Sequence, residues 1–303
     1  MLSDVSVVML CYNREDEVVV NVPKRIKDVH EHGLELVVVD NCSSDGTREA
    51  IEDIYKADPC FKLVLNDRNL GVGAGRNSGW HQATREIVVT LDEDTHITTD
   101  QLIELVAVLR TAPHAGIVTP IMFHPVTQRL LVAVLAPPYQ VTNFHGACYA
   151  IRREVIDEVG FHDDLCDFGG EELDLSIRVR NAGWDVVQVP NLRVAHNGRQ
   201  RESGSVVPLA RRVPWTRNHA RVVWRWFPYP KAVTWSLLML MGQLRGALRR
   251  GAVSEIPGLT RAWLAGAKEG INLHEPVDRE VTDFYSKRLG LRPVLRRLMS
   301  RRK

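Results

Sequence analysis

Along the first two hundred residues, short unbroken apolar runs alternate with longer segments of mixed polarity. The runs are Val5 to Leu10, Leu34 to Val39, Phe61 to Leu65 and the start of Glu86 to His96, EIVVTLDEDTH. Continuous β-formers of this length read as strands buried on both faces, as inside a parallel sheet. The segments between them, about 15–30, 47–55 and 74–84, have helical length. Alternating strands and helices predict an α/β fold, a mainly parallel mixed sheet flanked by helices and joined by right-handed crossovers.

Downstream, the pattern predicts a helix from 100 to about 109 and a strand over 115–123. A loop or small hairpin containing Pro137-Pro138 follows over 124–145, then a strand over 146–151 and a short helix over 153–159. Two further strands are expected, one over 185–189 and one ending in Arg193 to Gly198. Between them, Leu173, Leu175, Ile177 and Val179 alternate as in a strand. Against that, Gly169-Gly170 precede acids suited to a first helical turn and Asn181-Ala182-Gly183 is a stop, so a helix buried on two sides is expected there.

Three of the expected strands end in polar clusters: Tyr12-Asn13, Asp40-Asn41 and Asp92-Glu93-Asp94. In open α/β sheets, ligands bind outside the carboxyl ends of the strands. A ring such as Tyr12 can stack on a base, and a carboxylate such as Asp40 can accept from a base N–H or a ribose hydroxyl; the alternative for Asp40 is an Asx turn. By strand alternation Asp92 and Asp94 face one way and Glu93 the other. Two convergent carboxylates can hold a hard divalent cation that grips phosphates; the alternative is that they cap the helix after Thr98.

The run Asn69 to Gly79 contains GxGxG but lacks both the dinucleotide spacing and the Lys-Ser/Thr of a P-loop. It is expected to form a turn delivering Arg76 towards a nucleotide, or a purely structural turn. On the helix beginning near 171, Glu171 and Asp174 share a face and Glu172 lies about a quarter-turn round. Crowded acids raise one another's pKa, as a general base requires; the alternative is that they satisfy the helix dipole. His196 could add an imidazole to a metal already held by carboxylates.

At 303 residues, the chain can hold one large domain and an appendage, expected over 1–203 and 204–303. The five cysteines lack paired spacing and read as reduced thiols. With no basic-then-apolar leader, a cytoplasmic location is expected. The net charge of +2 conceals an asymmetry: residues 199–303 carry 22 Lys and Arg against 7 Asp and Glu, the remainder 17 against 30. The acidic part is therefore not a nucleic-acid binder. The basic part, with Trp215 to Phe227 mixing aromatics and arginines, suits an anionic membrane surface through residues 211–250. The apolar stretch 232–244 is too short to span a bilayer, so the attachment expected is peripheral, on the inner face of the cell membrane. Packing against the first domain or a homodimer contact is the alternative.

In order over roughly residues 3–198 stand SVVMLCYNRED, LVVVDNCSSDGT, NLGVGAGRNSGW, VVTLDEDT, GACYAIRREVIDEVGFHDD, FGGEELDLSIRVRNAGW and VPNLRVAHNG. Together these resemble the inverting, nucleotide-sugar-dependent glycosyltransferases of family two, with the GT-A fold, and within them the bacterial rhamnosyltransferase-type branch. The resemblance implies that Tyr12 and Asp40 hold a uracil or thymine base with Asn13 and Asn41 nearby, and that Arg76 supports the nucleotide end. It makes Asp92-Glu93-Asp94 the DxD motif, with Asp94 on Mg²⁺ or Mn²⁺, Asp92 nearer the ribose and sugar, and His196 a further metal ligand. Glu172 stands where the family usually has Asp; Glu171 and Asp174 are the other candidate bases. The donor implied is a UDP- or dTDP-sugar, and the acceptor a glycan, lipid-linked or small molecule. Two rival readings are a nucleotidyltransferase, which leaves the acids at 171–174 without a task, and a degenerate, non-catalytic sugar-nucleotide-binding protein, for which Glu172 speaks.

Overall fold

A computed structural model describes residues 1–198 and 207–289. The chain divides into two compact units, Met1–Asp167 with Ala182–Ser205, and Phe168–Asn181 with Val206–Lys303. The helix bearing Glu171, Glu172 and Asp174 thus groups with the C-terminal helices. The terminal basic residues from Arg296 to Lys303 lie outside the described residues.

The first unit runs β1 (Val5–Cys11), α1 (Glu15–His32), β2 (Glu35–Asp40), α2 (Thr47–Ala57), β3 (Lys62–Leu65), α3 (Gly71–Trp80), β4 (Ile87–Asp92), β5 (Thr95–His96), α4 (Thr99–Thr111), β6 (Ala115–Phe123), β7 (Cys148–Arg152) and α5 (Arg153–Val159). After α6 (Glu171–Asn181), which belongs to the second unit, β8 (Asp185–His196) returns to the sheet. The sheet order is β3-β2-β1-β4-β7-β6-β8-β5. β1 to β4 pair in parallel, and their β-branched runs are buried along their length except in the edge strand β3. β7 then enters antiparallel between β4 and β6, so the sheet is mixed.

Register aligns the strand ends. Cys11 pairs with Asp40 and Leu10 with Asp92, which sets the residues after β1, β2 and β4 side by side at one edge.

Two expectations are corrected. The glycine run is no turn: it opens α3, and its glycines let that helix lie on the sheet. A Cβ on Gly79 would sit 2.3 Å from Val8 Cγ1, and one on Gly75 3.0 Å from Leu10 and from Asn41. The two strands expected over 185–198 are one strand, β8. Its ladder to β6 jumps between the pairs Thr119/Gln188 and Ile121/Arg193, where Pro190 has no N–H to donate. The helical reading of 171–181 holds despite the alternation of its apolar residues.

The second unit comprises α6, α7 (Leu209–Trp226), α8 (Tyr229–Arg249), α9 (Ile256–Asn272) and α10 (Arg279–Leu289). α7 is its centre. Cβ atoms on Gly266 and Gly270 of α9 would stand 2.0 Å and 2.4 Å from the carbonyl oxygens of Arg217 and Arg221, so only glycine permits this crossing. The arginines of α7 are accordingly engaged: Arg217 pairs with Glu269 at 2.6 Å, Arg212 pairs with Glu255, and Arg221 is fully buried. Of the segment expected to meet a membrane, the α7 part is therefore mostly interior. α8 keeps Tyr229, Val233, Leu237, Met241 and Leu248 exposed.

His219, stacked on Trp215 and bonded to its carbonyl at 2.9 Å, is pushed down by burial to about 4. The unfolded chain binds this proton below about 6.5 and the folded chain only below about 4, so stability is lost as pH falls between those values. The full loss is about 3 kcal/mol. Denaturant unfolding of the protein and of His219→Gln, at pH 7 and pH 4.5, should show a steeper acid loss for the unsubstituted chain.

Candidate functional site

The aligned strand ends carry a continuous polar surface. After β4, Asp94 sits in the tight turn before β5, and β5 pairs Thr95 with His196 at the end of β8. That pairing brings the His196 Nε2 within 3.0 Å of Asp94 Oδ1, while Asn197 N–H donates to the Asp94 carbonyl at 2.8 Å. Asp92, Asp94 and His196 each offer a ligand atom, and the three atoms lie within 4.8 Å of one another. The acids are not caps: Thr98 caps α4 itself, in a capping box with Gln101.

Two arginines hold the carboxylates. Arg76, buried on α3, donates to Asp92 at 2.8 Å, and Arg14, just after β1, donates to Asp94 at 2.9 Å. Burial works to raise the Asp94 pKa, but the His196 hydrogen bond and the charges of His196 and Arg14 outweigh it and hold it below the usual range. Burial likewise works to lower His196, yet Asp94 lifts it above its ordinary value. For Glu93, burial and then the charges of Asp94 and Asp92 push the pKa well up. His145 meets His196 edge-on at 5.1 Å, and burial, then the charges of His196 and Arg76, drives it down to about 3.

Tyr12 follows the end of β1 and is 40% exposed. Asn13, at φ 54°, ties two loops together: its N–H donates to Ser43 Oγ and its Oδ1 accepts from Ser44 N–H at 2.8 Å. Asp40 is buried, accepts from Arg48 at 2.7 Å, and also makes the Asx-type bond to the Ser43 N–H at 3.2 Å. Asn41 is spent on the loop before α3, donating to Asn69 and Gly71 and accepting from Asn66 and Leu70. Its place is structural support under the site.

Sequence reasoning did not single out Arg14, Arg48 or His145. Arg14 stands 80 positions from Asp94, and only the β1–β4 pairing joins them. A second group of potential ligands, His30, Asp58 and Cys60, lies elsewhere on the unit; its core is a half-exposed ion pair at 2.7 Å between His30 and Asp58.

In the second unit, α6 opens with the three remaining candidates. Asp174 is fully buried and accepts from Trp226 Nε1 at 2.6 Å and Arg178 Nε at 2.8 Å. Glu171 is also buried, whereas Glu172 keeps partial exposure.

The profile of Glycosyl transferase family 2 matches residues 6–160, and that of Glycosyl transferase family group 2 matches residues 87–250. Agl10 of Haloferax volcanii, a low-salt glycan biosynthesis hexosyltransferase, is 25% identical over 222 residues, covering 65% of this chain and 68% of its own. The succinoglycan biosynthesis protein ExoO of Rhizobium meliloti is 35% identical over 101 residues, 33% of this chain and 28% of its own. The match spans only 27% to 38% of the length of the first curated relatives. Among solved structures, the mannosyltransferase PcManGT of Pyrobaculum calidifontis, in complex with GDP-Man and Mn²⁺, shares the fold with TM-score 0.60 at 20% identity, over 94% of this chain and 79% of its own.

Proposed function

The chain belongs to Glycosyl transferase family 2, and from that premise we propose that it is an inverting, metal-dependent hexosyltransferase or rhamnosyltransferase. Its donor is a UDP- or dTDP-sugar and its acceptor a hydroxyl of a cell-envelope glycan, a lipid-linked glycan or a small molecule. The observation that carries this reading is the convergence of Asp92, Asp94 and His196 beside Tyr12 and Asp40 at one sheet edge. Two carboxylates and an imidazole are a fitting donor set for Mg²⁺ or Mn²⁺, and PcManGT, which shares the fold, is in complex with Mn²⁺ and its sugar nucleotide. When bound there, the cation would neutralise charge on the departing diphosphate.

Tyr12 stacks on the base and Asp40, positioned by Arg48, accepts from it. Arg76 supports the nucleotide while orienting Asp92. Glu172 takes the proton of the acceptor hydroxyl, whose oxygen forms the new bond to the anomeric carbon. The bond from that carbon to the nucleoside diphosphate oxygen breaks on the opposite face, so one displacement inverts the configuration. A nucleotidyltransferase would leave Glu172 without a role, and a binding-only protein would retain nucleotide without turnover.

The test is a screen of UDP-, dTDP- and GDP-sugars with Mn²⁺ or Mg²⁺, following release of nucleoside diphosphate. Cleavage of one donor supports the transferase; binding without cleavage of any donor supports the binding module.

We also propose that α8 attaches the protein peripherally to an anionic membrane. No helix among the described residues is long and apolar enough to cross one. The exposed stripe of Tyr229, Val233, Leu237, Met241 and Leu248 recurs on one helical face, and Arg245 falls at its edge by the same spacing. The protein should sediment with vesicles containing phosphatidylglycerol and not with phosphatidylcholine alone. Leu237→Asp and Met241→Asp together should abolish this. If they leave sedimentation unchanged and instead dissolve a dimer, the stripe is a contact between two copies.

A further inference from the structure

The second unit holds a cavity of about 370 Å³ lined by Phe168, Arg211, Arg212 and Trp215 on one side, and by Gly242, Gln243, Gly246 and Arg250 of α8 and its end on the other. Three arginines meet it, and two of them, Arg212 and Arg250, share the carboxylate of Glu255. Arg212 is itself buried, and its Nε has no hydrogen-bond partner among the described residues. Arg211 lies with its guanidinium 5.1 Å from the Phe168 ring centre.

The two glycines of α8 are unexplained by packing. Glycine inside a helix is destabilising relative to alanine. A Cβ on Gly242 would nevertheless meet nothing within 4 Å, and one on Gly246 would meet only Arg250 Nη1, the far end of a flexible side chain. Neither glycine has the positive φ that excludes other residues. What their lack of side chains provides is open volume under the arginines.

The cavity is tied to the turn that leads into α6. A Cβ on Gly169 would stand 2.5 Å from Trp215 Cδ1, and Asn218 donates to the Phe168 carbonyl at 3.2 Å. Phe168, a wall of the cavity, is therefore fixed to the same short Phe-Gly-Gly turn that presents Glu171 and Glu172.

We propose that this cavity is an acceptor subsite that binds a phosphate ester carried by the acceptor. Guanidinium forks match phosphate oxygens in pairs, and the Phe168 and Trp215 rings offer flat apolar walls to what the phosphate is attached to. The acceptor role rests on the transferase reading above; anion binding does not. The phosphate belongs either to a glycan or to a lipid carrier.

Calorimetric titration of the full chain with glucose 1-phosphate and with decyl phosphate tests this. Saturable binding of at least one is expected, weakened about tenfold by Arg250→Gln through loss of a charge-assisted bond and at least as much by Gly242→Leu, which fills the cavity. Gly242→Leu should melt no lower than the native protein, since it removes a helix-interior glycine into open space. Tighter binding of glucose 1-phosphate assigns a glycan phosphate; tighter binding of decyl phosphate assigns a lipid carrier. The proposal is overturned if neither probe saturates, if both variants bind as the native protein does, or if only Asp94→Ala abolishes binding, which would place the probe at the nucleotide site. A failure of the transferase reading is seen separately, as absent donor cleavage with cavity binding intact, and then the acceptor role falls.

Discussion

Asp94→Ala should abolish metal-dependent donor cleavage, with a fall of about a thousandfold or more, because it removes the carboxylate that touches both His196 and the neighbouring Arg14. Asp92 alone cannot substitute, since Arg76 already holds one of its oxygens at 2.8 Å. The effect should be lost affinity for the cation as well as lost rate. His196→Ala removes the proposed imidazole ligand and leaves both carboxylates in place, so it should raise the Mn²⁺ concentration needed for half-maximal release of nucleoside diphosphate and lower the saturated rate less. Melting temperatures of both variants serve as the control: the Asp94 variant leaves Arg14 without that partner and should melt somewhat lower. If Asp94→Ala retains native cleavage at saturating Mn²⁺, the cation is held elsewhere and the assignment of this cluster fails.

How far the sequence reveals this arrangement differs from one residue to the next, for physical reasons. The strand ends are legible because a buried parallel strand must be apolar and its polar exit then stands out; Tyr12, Asp40 and Asp92 each follow such a run. α6 is legible only through its stops, since its apolar residues alternate while both of its sides are buried. The glycines of α3 mislead because their function is set by Val8 and Leu10, side chains of a strand more than sixty positions earlier. Arg14, Arg48 and His145 carry no local pattern at all: an arginine's value here depends on which carboxylate the sheet register brings to it. The same holds for α7, whose alternation of arginine and aromatic residues suits a membrane surface equally well. Only the pairing with Glu255 and Glu269 and the glycine crossing with α9 make it an interior helix.

Glu172→Gln should lower transfer to an acceptor by about a hundredfold to ten-thousandfold while leaving donor binding intact. The choice among three neighbouring acids follows from what each already touches. Asp174 is fixed by the Trp226 indole and the Arg178 guanidinium in a fully buried place, so its lone pairs are committed and Asp174→Asn should act on folding, costing about 1–3 kcal/mol through the Arg178 bond. Glu171 is buried, and a base must reach solvent or substrate to release its proton. Glu172 alone of the three keeps partial exposure at the first turn of α6. Its side chain is one methylene longer than aspartate, so Glu172→Asp withdraws the carboxylate by more than an ångström, a displacement that alone can be worth about a hundredfold in rate. If Glu172→Gln and Glu172→Asp both transfer at the native rate while Asp174→Asn, still folded, does not, the base is Asp174. The bonds it makes to Trp226 and Arg178 would then have to open during turnover.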